Sequence, residues 1–254
     1  MLSIISDPYF YCAAIPAVII LGLAKGGFAS VGNMATPLLA LYLPPLEAAA
    51  LLLPILISQD LISVYVYRRN WDASNLKIML PGAVIGTGIA WLIASHISDN
   101  AVRLAVGTIG VSFVAYMWLR RAVVEARKMS TASGVFWGAL SGFTTFMTQG
   151  GSPPFQVHVL PQRLPKMIYV GTTVMFFAAA NVMKIVPYFA LGQFSATGLA
   201  TSFALFPLAI ACNFLGIYLV RITPEAMFYR LTNGMVLLLG CELTRQGLVE
   251  LFWR

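Results

Sequence analysis

Long runs without a charged side chain constrain this fold more than any other feature of the sequence. The run 185–220 holds 36 residues without Asp, Glu, Lys or Arg, and a second run covers 129–162. A helix needs about 20 apolar residues to cross a hydrocarbon layer about 30 Å thick, so the longest runs must contain more than one segment. The runs also lack the polar–apolar alternation of barrel strands. The sequence therefore predicts an all-α polytopic membrane protein.

The charge balance agrees with this prediction. Only 10% of the 254 residues are charged, against about 25% in an average soluble domain. The net charge of +7 arises mainly in short loops, at Arg68, Arg69 and Lys77 and again at 120–128. This is the positive-inside pattern, so we expect the basic residues to set topology and not to bind nucleic acid.

The hydrophobic segments give about eight crossings in one membrane domain, 1–254, of a multi-pass inner-membrane protein in the lipid bilayer. The predicted segments are 10–24, 34–43, 46–67, 76–95, 101–120, 134–148, 168–190, 196–219 and 226–247. The three cysteines lie in apolar segments without CxxC spacing, which predicts no metal site or disulfide. No cofactor is expected.

An internal duplication is visible in the glycine and proline pattern. Three pairs are each separated by 116 positions: Gly22 and Gly138, Gly26 and Gly142, Pro37 and Pro153. We therefore predict two homologous repeats, at about 8–121 and 132–250, each opening with a Gly-rich broken or re-entrant helix. A chance match of glycines is the alternative.

The orientation of the two repeats depends on the interrupted segments. If each segment re-enters, every repeat has three crossings and the repeats are inverted; if each crosses once as a broken helix, there are four crossings and the repeats are parallel. The basic residues at 163, 166 and 221 favour inversion. Repeats with interrupted segments at corresponding places are typical of transporters whose site lies at the repeat interface.

The first glycine-rich motif covers 23–33 and continues to Thr36. It contains Lys25, Gly26, Gly27 and Asn33. Glycine costs about 1 kcal/mol in a helix and proline about 3, so the helix is predicted to break here. Free N–H groups at a helix start bind anions, and Lys25 adds a positive charge. The alternative is that the segment ends near Lys25, which then extends to the membrane interface.

The second motif, 144–154, contains Gln149, Gly150, Gly151 and Ser152. At the offset of 116, Asn33 corresponds to Gln149 and Thr36 to Ser152. Hydroxyl, amide and backbone N–H groups all donate to oxyanion oxygens, so the two motifs together predict a donor-rich anion site. A polar loop outside the membrane is the alternative, and the apolar residues just before the motif count against it.

These motifs resemble those of the TauE/SafE sulfite exporter family. The resemblance rests on the GxxxGGF-like segment 22–28, the second Gly-rich segment 138–153 and the duplication. It implies multi-pass inner-membrane transport of sulfite, sulfonates or related sulfur compounds. Residue by residue, it points to Gly26, Gly27, Gly150 and Gly151 as site residues.

Two further charged residues stand in otherwise uncharged helices. Asp60 is a candidate proton-coupling carboxylate, and Lys184 is a candidate anion partner. The alternatives are that the two pair with each other structurally or extend to the helix ends. His96 and His158 lie in predicted loops, where histidines more often have no special function.

The function predicted from the sequence is secondary transport of small sulfur-containing anions by alternating access. The chain is not predicted to be an enzyme, because no GxSxG or HExxH pattern and no paired intramembrane aspartates are present. A membrane scaffold without a transported ligand is the main alternative, and an intramembrane enzyme is the weaker one.

Overall fold

The described part of the protein is built from helices and turns, without a strand. The computed structural model describes residues 4–29, 32, 35–39, 42–43, 45–94, 108 and 130–252. In chain order the helices are α1 (Pro8–Gly26), α2 (Ala35–Leu39), α3 (Pro45–Tyr67), α4 (Ala73–Ile93), α5 (Thr131–Thr148), α6 (Ser152–Val159), α7 (Lys166–Ala190), α8 (Ala196–Ile222) and α9 (Glu225–Phe252). A 3-10 turn, Leu160–Gln162, follows α6.

Five of the described helices are long and apolar enough to cross a membrane. They are α1, residues 46–67 of α3, α4, α7 and α8. The protein is therefore a multi-pass membrane protein, as predicted. The hydrophobic segments predicted from the sequence coincide with described helices to within a few residues, except the segment 101–120, which lies outside the described residues.

Several helix starts follow from local side-chain chemistry. The Asp7 carboxylate accepts a hydrogen bond of 2.9 Å from the Tyr9 N–H, and Pro8 fills the first helical position, where its missing N–H costs nothing. The Asp72 carboxylate caps α4 in the same way, with a 2.7 Å bond from the Asn75 N–H. These caps set where α1 and α4 begin.

Glycines bring α4 and α5 into backbone contact. A Cβ atom on Gly86 of α4 would lie only 1.8 Å from the Ala139 carbonyl oxygen, and one on Gly142 of α5 only 2.4 Å from the Ala83 oxygen. Gly82 and Gly138 have similarly close neighbours. Small residues spaced four apart are the usual means of close packing between membrane helices.

A second close contact joins α1 to α8. A Cβ atom on Gly26 would lie 2.2 Å from the carbonyl carbon of Gly216, and one on Gly22 would lie 2.4 Å from the Cys212 Cβ. Because both neighbours belong to α8, the C-terminal turn of α1 is held against that helix.

The middle of α3 packs against α7 and α8 through buried polar groups. The Gln59 amide donates to the Ala209 carbonyl oxygen at 3.0 Å, and the Asn213 amide donates back to the Gln59 carbonyl oxygen at 3.0 Å. The Ser63 hydroxyl donates to the Asn213 side-chain oxygen at 3.2 Å. Buried polar groups need such partners, and these bonds fix the rotation of α3.

Candidate functional site

The first glycine-rich motif ends α1. The helix stops at Gly26, and Gly27 has a φ of 142°, which a side-chain-bearing residue rarely adopts. The Gly27 N–H turns back to the Ala24 carbonyl oxygen at 3.0 Å. Gly27 is therefore required by the backbone geometry of the break.

The second motif ends α5 and starts α6. α5 stops at Thr148, and Gln149 adopts the left-handed conformation with a φ of 58°. The Gly150 N–H bonds the Thr144 carbonyl oxygen at 3.2 Å, which closes the end of the helix. α6 then begins at Ser152, where Pro153 and Pro154 are tolerated because the first N–H groups have no helical partner.

The two breaks meet. The Ser152 hydroxyl donates to the Ala29 carbonyl oxygen at 3.0 Å, which joins the start of α6 to the segment after α1. A cavity of about 60 Å³ lies between them. A water needs about 10–15 Å³ on this measure, so the space suits a few waters or one small ion.

The cavity has a polar side and an apolar side. The apolar side includes Leu21, Leu56, Val174 and Phe177. The polar side chains in the lining are Lys25, Thr145, Gln149, Ser152, Thr173 and Asn181. These groups come from α1, α5, α6 and α7, so both halves of the chain contribute to one cavity.

A chain of charged and polar groups connects α1, α3 and α7 at this cavity. The Lys25 ammonium lies 2.5 Å from Oδ1 of Asp60, and these side chains are only 11% and 7% exposed. The Asn181 amide donates to Oδ2 of the same carboxylate at 2.6 Å. Both oxygens of Asp60 therefore accept a bond from a residue that lines the cavity.

Lys184 lies one turn beyond Asn181 on α7 and is fully buried. Its ammonium donates to Oε1 of Gln149 at 2.6 Å and to the Thr145 carbonyl oxygen at 3.4 Å. Both of these partners are neutral, so the buried nitrogen is solvated by their dipoles. Lys184 is also within electrostatic range of Lys25 and Asp60.

The Gln149 amide carries an unpaired donor. An ammonium can only donate, so Lys184 requires the oxygen of this amide to face it. The NH₂ group is buried and has no hydrogen-bond partner in the part of the chain that the structure describes. Gln149 therefore contributes a free donor to the cavity lining.

Two tyrosines bond the ends of α1 and α5. The Tyr67 hydroxyl donates to the Gly26 carbonyl oxygen at 2.9 Å, and the Tyr188 hydroxyl donates to the Phe146 carbonyl oxygen at 2.7 Å. The tyrosines are 121 positions apart and the two carbonyls 120 apart. Each bond satisfies a carbonyl in the last turn of a helix that ends at the cavity.

A second pair of bonds has the same spacing. The single proton of the Ser63 hydroxyl is shared between the Asn213 side-chain oxygen and the Lys25 carbonyl oxygen, which is 3.1 Å away. The Lys184 side-chain nitrogen donates to the Thr145 carbonyl oxygen at 3.4 Å. Ser63 and Lys184 are 121 positions apart, and Lys25 and Thr145 are 120 apart. α3 therefore contacts the end of α1 as α7 contacts the end of α5.

A family model described as Sulfite exporter TauE/SafE matches residues 14–243, which is most of the sequence. The chain belongs to the TauE/SafE sulfite exporter family. This membership confirms the resemblance carried by the glycine motifs, and TauE/SafE proteins are a family of transporters. Searches of curated proteins and of solved structures gave no significant match.

In this TauE/SafE chain, the residues predicted for the site divide into two groups. Lys25, Gly27, Gln149 and Ser152 line the shared cavity. Asp60 and Lys184 take different partners: Asp60 pairs with Lys25, and Lys184 bonds Gln149.

The remaining predicted residues have other surroundings. Gly26 contacts Gly216, and a Cβ atom on Gly151 would lie 2.7 Å from the Thr145 Cβ, so both glycines allow close packing. Gly150 closes the end of α5. The Thr36 hydroxyl is buried without a hydrogen-bond partner among the described residues, and Asn33 lies outside them.

The site predicted from the sequence lacks three polar residues of the lining. Thr145 stands within the second motif, whereas Thr173 and Asn181 stand in the uncharged run 167–183. A buried amide in an apolar run was the available signal for Asn181. His158 lies elsewhere: its Nδ1 is 3.2 Å from the Ser133 hydroxyl. His96 is outside the described residues.

Proposed function

We propose that this protein is a secondary transporter of small sulfur-containing anions such as sulfite, sulfonates or related compounds across the inner membrane. The observation that carries the proposal is the cavity between the two helix breaks, which contains Lys25 and the unpaired amide donor of Gln149. Lys184 lies immediately behind that amide. Family membership supports the class of substrate.

The donors fit an oxyanion better than a cation. Lys25 and the Gln149 amide supply hydrogen atoms to the cavity, and hydrogen bonds to a charged partner are roughly twice as strong as neutral ones. A cavity of about 60 Å³ limits the guest to a small ion, and its apolar side accommodates a short alkyl group.

Two homologous repeats also belong to this proposal. The matching bonds at the ends of α1 and α5 support it. The residues that form one bond lie 120 or 121 positions before those that form the other. This separation falls between the 116 positions that separate the glycine pairs and the 126 that separate Pro81 from Pro207. In this alignment of the two halves Gly26 corresponds to Phe146, whereas the glycine pattern aligned it with Gly142. The two alignments differ by four residues, about one helical turn. Inverted repeats that rock against each other give alternating access to a site at their interface.

Uptake of radiolabelled sulfite into liposomes containing the purified protein tests the proposal. Saturable uptake is expected, and sulfite should compete with other small sulfur anions. The absence of flux for every sulfur anion tried would refute transport and favour a scaffold without a ligand.

Lys25→Met tests the position of the site. Loss of a charged donor costs about 1.5–3 kcal/mol, which corresponds to a roughly 10- to 150-fold weaker affinity for sulfite. Lys77→Met removes the same charge at an exposed position and should leave the affinity unchanged. If Lys25→Met binds sulfite as tightly as Lys77→Met while both remain folded, Lys25 is not part of the site.

A further inference from the structure

Asp60 is surrounded by few charged groups. Lys25 reaches it from α1, and from α7 it is bonded by Asn181 with Lys184 in electrostatic range. The sequences of α2 and α5 contain no Asp, Glu, Lys or Arg, and in α8 the single charged residue, Arg221, is in the last turn. Glu47 on α3 is 13 residues away, about 20 Å along the helix.

An anion in the cavity must compete with Asp60. Lys25 and Asn181 line the cavity, and both currently donate to the Asp60 carboxylate. A guest anion needs the same hydrogen atoms. The carboxylate thus occupies the donors that the proposed substrate would use, and its negative charge repels that substrate.

The charged side chains at the cavity determine how much negative charge a bound anion can carry without leaving an excess. Ionised Asp60 cancels the charge of Lys25, so this pair offers an entering anion no net positive charge. A dianion such as sulfite then leaves an excess negative charge in a buried site, and an unbalanced buried charge is costly. Protonation of Asp60 removes the repulsion, releases the two donors and raises the local charge by one unit.

We propose that Asp60 takes up a proton when a dianion occupies the cavity, so that anion and proton move together. The inference rests on the proposed function. The proton comes from the solution and joins a carboxylate oxygen, and no covalent bond to the anion forms. Lys25 and Asn181 then donate to the guest instead of to Asp60.

Titration calorimetry with sulfite at pH 8, repeated in buffers of different ionisation enthalpy, measures the protons taken up on binding. For the wild type, uptake of about one proton per sulfite is expected by linkage. Asp60→Asn keeps an oxygen near Lys25 but cannot take up the proton, so its uptake should be zero. If the wild type takes up no proton when it binds sulfite, the proposal is wrong.

The same variant identifies where the proton resides. If Asp60→Asn still takes up one proton, the proton is carried by sulfite itself and the proposal is wrong. The exchange Asp60→Asn with Asn181→Asp moves the carboxylate across a single hydrogen bond and should restore the uptake. If the single variant does not fold, the exchange still tests the proposal, because sulfite binding by the exchange variant without proton uptake would refute it.

Flux measurements separate this inference from the proposed function. In liposomes, a pH gradient should drive sulfite accumulation by the wild type, and Asp60→Asn should lose that response. Sulfite flux that ignores the pH gradient would leave transport intact and refute the coupling, whereas the lack of any flux would refute transport.

Discussion

Two glycines of α4 make opposite predictions for the same substitution. A Cβ atom on Gly86 would lie 1.8 Å from the Ala139 carbonyl oxygen of α5, whereas a Cβ atom on Gly88 has no neighbour within 4 Å. Carbon and oxygen approach to about 3.3 Å, so Gly86→Ala must move the helices apart by about 1.5 Å. That movement also loosens the neighbouring contacts of Gly82 and Gly142.

The two substitutions differ in sign because alanine overpacks the helix contact at Gly86 but raises only the helix propensity at Gly88. Overpacking typically costs 1–3 kcal/mol, and the upper value of about 3 kcal/mol applies to Gly86 because the obstacle is a backbone carbonyl. Gly88→Ala gains up to about 1 kcal/mol from helix propensity. A loss of 3 kcal/mol lowers the melting temperature by roughly 6–12 °C in a protein of this size.

Thermal unfolding of the purified variants in one detergent, followed by tryptophan fluorescence, measures the difference. Gly86→Ala should melt well below the wild type, and Gly88→Ala at or slightly above it. Equal melting temperatures for the two variants would refute the backbone contact between α4 and α5. Both variants place the same alanine in the same helix, so effects of the detergent and of the alanine side chain itself are common to both.

Other side chains test the surroundings of the cavity. Tyr67→Phe and Tyr188→Phe each leave a helix-end carbonyl without its donor, so each should lower stability by a similar amount, about 1–3 kcal/mol in denaturant unfolding; a loss in one variant alone would contradict their equivalence. Lys184→Met should lower the melting temperature, because it leaves the Thr145 carbonyl oxygen and the Gln149 side-chain oxygen without their donor. The same variant should bind sulfite at least about tenfold more weakly if the ammonium contributes to the site, and undiminished binding in calorimetry would exclude Lys184.

Helix positions and the two breaks could be predicted because their causes are local. Uncharged runs of sufficient length mark the helices, and α1 ends at the predicted glycine pair, with Gly27 in a conformation that requires glycine. The break before Ser152 likewise follows from a run of glycines and prolines. These signals depend only on neighbouring residues.

The pairing of the buried charges could not be predicted in this way. Lys25, Asp60 and Asn181 come from three helices, and Asp60 and Asn181 are 121 residues apart. Which partner Asp60 takes depends on how α3 is rotated against α1 and α7, and that rotation is set by tertiary contacts. Gly26 shows the same limit, because a glycine that permits helix packing and one that approaches a ligand look alike in a sequence.

The direction of the helices gives the lysines a second role at the cavity. α1 and α5 both reach it with their C-terminal ends, whose carbonyl groups carry partial negative charge and repel an anion.

At the end of α1 two carbonyl groups accept hydrogen bonds from neutral hydroxyl groups, those of Ser63 and Tyr67. At the end of α5 one of the two donors is the Lys184 ammonium, and the other is the Tyr188 hydroxyl. On the two-repeat proposal, each half thus contributes one lysine from a different element: the first from its broken helix, the second from the long helix that follows. The carbonyl ends of α1 and α5 oppose an anion, whereas the two lysines and the N-terminus of α6, which begins at the lining residue Ser152, favour one. The function proposed for this chain therefore depends on both lysines and not on the glycines alone.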